Sequence, residues 1–349
     1  MFYKFKNKKI IITGHNGFKG SWLTLLLNYF GAKIYGVSLK KNNSNLFPVL
    51  NFSKDITNLN CDIKNFKKIN KIISDLKPDY IFHLAAQPLV SDSYYDPKLT
   101  FSTNVIGTMN ILDSVKTLKN ECISIIITSD KCYKNNEWNR GYKENDILFG
   151  EDPYSASKSM CEILVNSYYR SFFKNAKNIH LATARAGNVI GGGDWSKDRL
   201  VPDIIKNYQK NKTIFIRNPK STRPWQHVLE PLRGYLMLAL KIKKEKLSGS
   251  SFNFGPETID CKEVNQLVNE LSLHFKFKKI NYKKSLKFKE SKLLKLNCSK
   301  AKSIIKWKPN LNFKKTILLT SNWYKDYFIN KDPISISQKQ IKEYFKNEF

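Results

Sequence analysis

Short, unbroken apolar runs alternate along this chain with longer stretches in which apolar positions return every three or four residues. The runs at Lys9–Thr13, Lys33–Ser38, 80–85, 123–129 and 180–186 are rich in β-branched and aromatic residues, the pattern of strands covered on both faces. The periodic stretches 17–30, 65–76, 100–118 and 154–173 read as helices between them. Strand and helix in alternation predict an α/β fold, a doubly wound parallel sheet built from right-handed crossovers.

The pattern changes after residue 186. Gly191-Gly192-Gly193-Asp194 breaks the chain, and Asn218-Pro219 and Arg223-Pro224 mark further loops. Residues 1–185 are therefore expected to form a Rossmann-type domain, and 186–349 mainly a smaller C-terminal substrate-binding domain. The stretch 225–255, with a helix over 229–242, is expected to return to the sheet. The tail, 330–349, is polar and reads as loosely attached.

Composition narrows the class. A chain of 349 residues with 41% hydrophobic residues can fold as one large unit or two moderate ones. It lacks any run of about 18 apolar residues, so no membrane span is expected. Its basic N-terminus runs into a strand rather than the apolar stretch of a signal peptide, which makes the cytoplasm the expected location. Cys61, Cys122, Cys132, Cys161, Cys261 and Cys298 are scattered, with no Cys-x-x-Cys pair, and read as reduced thiols; no metal is expected. The formal charge of +31 would suit a nucleic-acid binder. Only 7 of the 60 basic residues are arginine, however, and the 53 lysines are spread along the chain. A DNA-reading surface concentrates arginine on one element, so no nucleic-acid partner is expected, although such a field attracts anionic substrates.

Ligands of doubly wound sheets sit at the C-terminal ends of the strands. There the sequence places Gly14-His15-Asn16-Gly17-Phe18-Lys19-Gly20, between the first strand and the first helix. Gly14 permits a tight turn, Gly17 lets backbone approach a pyrophosphate, and Gly20 lets the helix pack close to the sheet. The helix N-terminus then faces phosphate charge. Asn16, Phe18 and Lys19 complete this candidate cradle for a nicotinamide dinucleotide, and Leu84, Ala85 and Ala86 end a neighbouring strand. The acidic residue that ordinarily follows the second strand and binds the adenosine ribose is missing. Ser38-Leu39-Lys40 stands there, which leaves NAD and NADP both open, Lys40 suiting a 2′-phosphate. Asp62-Ile63, after a short third strand, is the candidate adenine contact.

Tyr154 and Lys158, four residues apart, share one helix face. A phenol ordinarily titrates near about 10. A nearby ammonium and a positive nicotinamide ring would favour the phenolate, which could take a hydroxyl proton while a hydride leaves for the cofactor. Ser129, Asp130 and Lys131 bring a hydroxyl, an acid and an amine to a strand end, able to donate, accept and shuttle protons; a plain turn would use the same residue types.

These segments make the chain recognisable. It resembles the extended short-chain dehydrogenase/reductase superfamily and, within it, the CDP-glucose 4,6-dehydratases. The likeness is carried by the glycine loop with Ser21-Trp22-Leu23, His83 to Val90, Thr128 to Tyr133, Asp152 to Lys158, Ala184 to Trp195, Thr222 to Val228 and Asn253 to Pro256. The resemblance implies a bound NAD that is regenerated each turnover and loss of water from CDP-glucose across C5 and C6, giving CDP-4-keto-6-deoxyglucose. It implies Tyr154 as the base at the C4 hydroxyl, Lys158 at the nicotinamide ribose, Ser129 near the C4 oxygen, Asp130 as the acid for C6 and Lys131 as the base at C5. Related dehydratases acting on dTDP-glucose or GDP-mannose carry Asp-Glu where this chain has Asp130-Lys131. A lysine base must be neutral, whereas an ammonium ordinarily titrates near about 10.4. Burial, Lys158 and oxidised nicotinamide are the expected means of lowering it to roughly 7–8.

Gln87, Asn188, Arg199, Arg217 and Arg223 are the candidate substrate contacts. The arginines, Arg185 among them, can clamp a diphosphate with planar, forked donors, and Asn188 and Arg223 align with nucleotide-sugar contacts in the superfamily. His227, Trp22 and Trp195 read as structural. The superfamily pairs subunits through helices equivalent to 100–118 and 154–173, which implies a homo-oligomer, a dimer or tetramer. An epimerase or reductase acting on another nucleotide sugar remains open, and a basic nucleic-acid-binding protein is the remote alternative; an epimerase would not need the Asp130-Lys131 pair.

Overall fold

The computed structural model describes residues 1–39, 56–282 and 291–346; Lys40 lies outside the described residues. Seven strands form one sheet: β1 (Lys9–Thr13), β2 (Lys33–Ser38), β3 (Ile56–Asn60), β4 (Tyr80–His83), β5 (Cys122–Ile127), β6 (Ile179–Ala186) and β7 (Ser251–Phe254). Their order is β7-β6-β5-β4-β1-β2-β3 and every pairing is parallel. This is the doubly wound arrangement that the alternation predicts, with the order reversing between β1 and β4. β7 has only four residues to signal it, and tertiary pairing makes the strand: it runs along β6 from Ser251 opposite Thr183 to Phe254 opposite Ala186.

Both faces of the sheet are buried except along the edge strand β3, where Thr57, Asn58 and Asn60 are exposed, which explains why the other strands lack polar alternation. Along β1, Ile10 and Ile12 enter one core with helices α1 (Phe18–Tyr29), α5 (Leu229–Lys241), α6 (Phe313–Phe328) and α7 (Pro333–Tyr344). Ile11 enters the other with α2 (Phe66–Leu76), α3 (Gly107–Lys116) and α4 (Pro153–Tyr168). Fully buried aliphatic side chains such as Ile11, Ile81 and Ile126 each contribute about 1.5–3 kcal/mol.

Two expectations need correction. The helix predicted over 100–118 is interrupted by a wide π turn at Ser102–Ile106 before α3 begins. That turn presents Asn104 inward, where its amide accepts from the Gln87 N–H at 2.8 Å and donates to Ser157 Oγ at 2.8 Å. The tail is not loosely attached. Asp332 caps α7 with Pro333 in its first turn, and Ile336, Ile341 and Phe345 bury one face of an otherwise polar segment. Phe345 meets Phe2 and Phe30 edge-on at 5.4 Å, tying the C-terminal helix to the first residues of the chain. Among the described residues no helix is long and apolar enough to cross a membrane. All six cysteines are free.

Candidate active site

β1, β4 and β5 end side by side, and the candidate residues gather at those ends. Gly14 turns at φ +71°, and a Cβ there would stand 2.8 Å from Ala85 Cα. A Cβ on Gly20 would stand 2.1 Å from the Gly14 carbonyl oxygen, so the loop closes on α1 only with glycine at both places. α1 starts from Gly17, which offers no side chain to cap its first N–H groups, whereas Asn65, Asp152 and Asp332 cap α2, α4 and α7. An uncapped helix N-terminus beside a tight glycine turn is the arrangement that takes a phosphate, so these residues fit a dinucleotide.

The rest of the candidate cradle is fixed around that loop. Asn16 donates its amide to the Leu39 carbonyl at 3.0 Å, tying the loop to the end of β2. The Leu84 N–H donates to the Thr13 carbonyl at 3.1 Å and the Ala85 N–H to Thr13 Oγ1 at 3.2 Å; Ala86 follows, partly exposed. Phe18 points into the core, its ring beside Gly191. Asp62, beyond β3, is half-buried and accepts from the Lys64 N–H at 2.9 Å. Ile63 is buried under α3, where a Cβ on Gly107 would stand 2.4 Å from its Cδ1.

Ser129, Asp130 and Lys131 follow β5 in one tight turn. Ser129 Oγ donates to Asp130 Oδ1 at 3.1 Å and accepts from the Lys131 N–H at 3.2 Å. The Asp130 carboxyl is buried, and its Oδ2 has no partner among the described residues. Gly187 makes room for it: a Cβ there would stand 2.7 Å from Oδ2. Burial raises the Asp130 pKa, against the opposing pull of Lys131, the Ser129 hydroxyl, Arg223 and Lys19. A carboxyl biased toward its neutral form is suited to donate a proton.

Tyr154 enters from the start of α4, which Pro153 and the Asp152 cap set in place. The neighbouring ammonium does not by itself favour the phenolate, and the expectation rests on the positive charge that bound NAD would add. Burial dominates and pushes the phenol up to about 12, with the Ser129 hydroxyl and the Arg199 charge pulling the other way. Lys158 shares the helix face but reaches down to the Ile127 carbonyl at 3.4 Å, and its own pKa is lowered, chiefly by burial.

Lys19 joins this group as well as the loop. Burial, then the charges of Lys158 and Arg199, lower its pKa to about 7, while Asp130 opposes the shift. Arg199 pairs with Asp194 at 3.2 Å, and Arg223, which lends positive charge to Asp130, donates to the Thr222 carbonyl at 2.9 Å. Asn188 sits between β6 and the next loop, its carbonyl accepting from the Gln226 N–H at 3.1 Å. Arg217 acts on Asp203 in the second half of the chain. The Gln87 amide is spent within the protein, donating to Thr100 Oγ1 at 2.8 Å and to the Leu89 carbonyl at 3.0 Å. Arg185 is not available to clamp a diphosphate, since it lies buried in an ion pair with Glu162 at 2.7 Å. His227 and Trp22 pack edge-on in the core, and Trp195 packs against Tyr324.

Glu162 is the residue that sequence reasoning missed. It stands one turn beyond Lys158 on the same face, and a carboxylate on a core-facing position was the available signal. Besides Arg185 it accepts from Thr128, from Thr183 at 2.8 Å and from Ser251 at 3.0 Å.

The model of the GDP-mannose 4,6 dehydratase family matches residues 11–320. The chain belongs to that family. Among its relatives, the CDP-glucose 4,6-dehydratase of Salmonella typhimurium is 40% identical, over 97% of this chain and 96% of that one. The UDP-glucose 4-epimerase of Mycoplasma genitalium is 23% identical over 92% of this chain and 97% of its own length. Among solved structures, the dTDP-glucose 4,6-dehydratase of Bacillus anthracis in complex with NAD superposes with a TM-score of 0.77 at 21% identity, covering 94% of this chain and 99% of that one. In this member of the family the glycine loop, the Tyr154–Lys158 helix and the Asp130-Lys131 turn all stand at the sheet's C-terminal strand ends.

Proposed function

We propose that this protein is an NAD-dependent CDP-glucose 4,6-dehydratase, a hydro-lyase that turns CDP-glucose into CDP-4-keto-6-deoxyglucose. The observation that carries the reading is the Asp130-Lys131 turn, held together through the Ser129 hydroxyl, in a chain 40% identical to a CDP-glucose 4,6-dehydratase over nearly its whole length. An epimerase needs the tyrosine but has no use for an acid and a base side by side.

The glycine loop and Lys158 hold the dinucleotide, and what NAD supplies when bound is a place to keep the C4 hydride until C6 receives it. Tyr154 takes the C4 hydroxyl proton, with Ser129 beside that oxygen. The resulting 4-ketone acidifies the proton on C5, which Lys131 removes. Asp130, biased toward its neutral form by burial, protonates the departing C6 hydroxyl. Lys131 then returns its proton to C5. Asn188, Arg199, Arg217 and Arg223 are the proposed contacts for the nucleotide diphosphate.

The proposed partner is a second copy of this chain. Leu99, Ile106, Met160, Ile163 and Phe172 expose apolar side chains on the helices at and beside α3 and α4. The reaction is placed in the cytoplasm, where reduced thiols persist.

CDP-glucose carrying deuterium at C4 tests the reaction. The expected product has lost water and carries the deuterium at C6, with no net NADH. Deuterium found at C4 of an epimer would replace dehydration with epimerisation.

A further inference from the structure

His83, the last residue of β4, is buried and takes no part in the proposed chemistry, yet both of its ring nitrogens are engaged. Nδ1 lies 2.7 Å from Thr13 Oγ1 at the end of β1, and Nε2 lies 3.0 Å from Thr108 Oγ1 in the first turn of α3. Each threonine has one hydroxyl proton to give. Thr108 gives its proton to the Asn104 carbonyl at 2.6 Å, so toward His83 it accepts. Thr13 Oγ1 accepts from the Ala85 N–H at 3.2 Å, which leaves its own proton for His83 Nδ1. The two ends agree on one tautomer, with the proton on Nε2 and a bare Nδ1. The opposite tautomer would set a bare Nε2 against an oxygen whose proton is already given away. Burial, with the Lys158 charge, lowers the His83 pKa to about 3, so the ring stays neutral and keeps this arrangement near neutral pH.

Two arms leave the ring. The Nδ1 arm runs through Thr13 to the Ala85 N–H. A Cβ on Gly14 would stand 2.8 Å from Ala85 Cα, so the place of Ala85 decides whether the glycine loop closes. The Nε2 arm runs through Thr108 to the Asn104 carbonyl. The Asn104 amide donates to Ser157 Oγ at 2.8 Å, and Ser157 donates to the Tyr154 carbonyl at 2.7 Å, in the first turn of α4. Thr13, Thr108, Asn104 and Ser157 are all buried, so bulk water does not stand in for a broken link.

We propose that His83 is a positioning residue that sets the place of Tyr154 relative to bound NAD, holding the glycine loop through Nδ1 and the first turn of α4 through Nε2. The inference rests on the proposed reaction, in which Tyr154 takes the C4 hydroxyl proton while the C4 hydride goes to NAD. Those two transfers leave one carbon atom together, so the base and the hydride acceptor have to be placed by one frame. His83 is where the two halves of that frame meet, and it touches neither substrate nor cofactor.

Substitution separates the arms, because an asparagine amide reaches only where Nδ1 stood and a glutamine amide only where Nε2 stood. His83→Gln is expected to keep the Thr108 bond and lose the Thr13 bond. NAD, titrated calorimetrically into the full-length protein, then binds about tenfold more weakly, the effect of one buried hydrogen bond, while transient NADH forms from CDP-glucose at an unchanged rate once NAD saturates. His83→Asn is expected to do the reverse, binding NAD as before and forming transient NADH about tenfold more slowly. Equal losses of both properties in both variants would make His83 a plain core residue and overturn the proposal. Nitrogen-15 spectra of the unaltered, histidine-labelled protein read the tautomer with no variant at all. The ring with nuclear Overhauser contacts to Thr13 and Thr108 is expected to carry its proton on Nε2 alone, and a proton on Nδ1 overturns the proposal. If the unaltered protein forms no NADH from CDP-glucose, the proposed reaction fails and the Tyr154 arm with it, while calorimetry still decides the NAD arm.

Discussion

The carboxylate of Glu162 holds the guanidinium of Arg185 at 2.7 Å, with both side chains buried between α4 and β6. Burial pushes the Glu162 pKa up, but Arg185 and the hydroxyls of Thr128 and Thr183 outweigh it and hold the carboxyl below its usual range. Arg185 also donates to the Tyr133 hydroxyl at 2.7 Å, which in turn donates to Asn253 at 2.7 Å. The pair thus fastens the helix bearing Tyr154 and Lys158 to the strand and turn bearing Ser129, Asp130 and Lys131.

Removing one partner leaves a buried charge uncompensated. Arg185→Met is expected to cost about 3–5 kcal/mol, read as a lower urea midpoint. The double variant Arg185→Met/Glu162→Gln is expected to recover much of that loss. A single variant costing under about 1 kcal/mol would show that the pair contributes no more than a surface bridge.

The two glycines at the loop's closest approach differ in tolerance. Gly20→Ala places a methyl group 2.1 Å from the Gly14 carbonyl oxygen, whereas Gly17→Ala places one at 3.2 Å. Calorimetric titration is expected to show NAD binding lost in Gly20→Ala and only weakened in Gly17→Ala. Equal affinities in the two variants would reject the close-packed cradle.

Lys131 and Tyr154 act at different steps. In Lys131→Ala, transient NADH is expected to form while exchange of the C5 proton with solvent disappears. In Tyr154→Phe neither is expected. Normal dehydration by Lys131→Ala would remove it as the base.

Lys19 places a positive charge near Asp130 and thereby favours the carboxylate. In Lys19→Met that pull is gone, the Asp130 pKa rises, and its acid form persists to higher pH. The alkaline limb of the kcat/KM profile that reports loss of the Asp130 proton is expected to move upward. A limb that stays in place or moves down would place Lys19 too far away to matter.

The sheet was legible because buried parallel strands are written as unbroken apolar runs, so β1 and β2 match their predicted bounds. The glycine loop and the Tyr154–Lys158 pair were legible because both are local, held within one turn or one helix. What connects them was not. The Glu162–Arg185 pair joins residues 23 positions apart, and the Thr128–Glu162 bond joins the end of a strand to a helix. The docking of α7 was missed because three buried side chains, Ile336, Ile341 and Phe345, are diluted among polar neighbours.

Loss of water from nucleotide sugars, measured by mass spectrometry, bears most directly on the proposed reaction. Purified protein with NAD would be given CDP-glucose, dTDP-glucose, UDP-glucose and GDP-mannose in parallel. Water lost from CDP-glucose alone is the expected result and supports the Asp130-Lys131 turn as the mark of a CDP-sugar dehydratase. No water lost from any of the four would contradict dehydration, leaving the fold with another reaction.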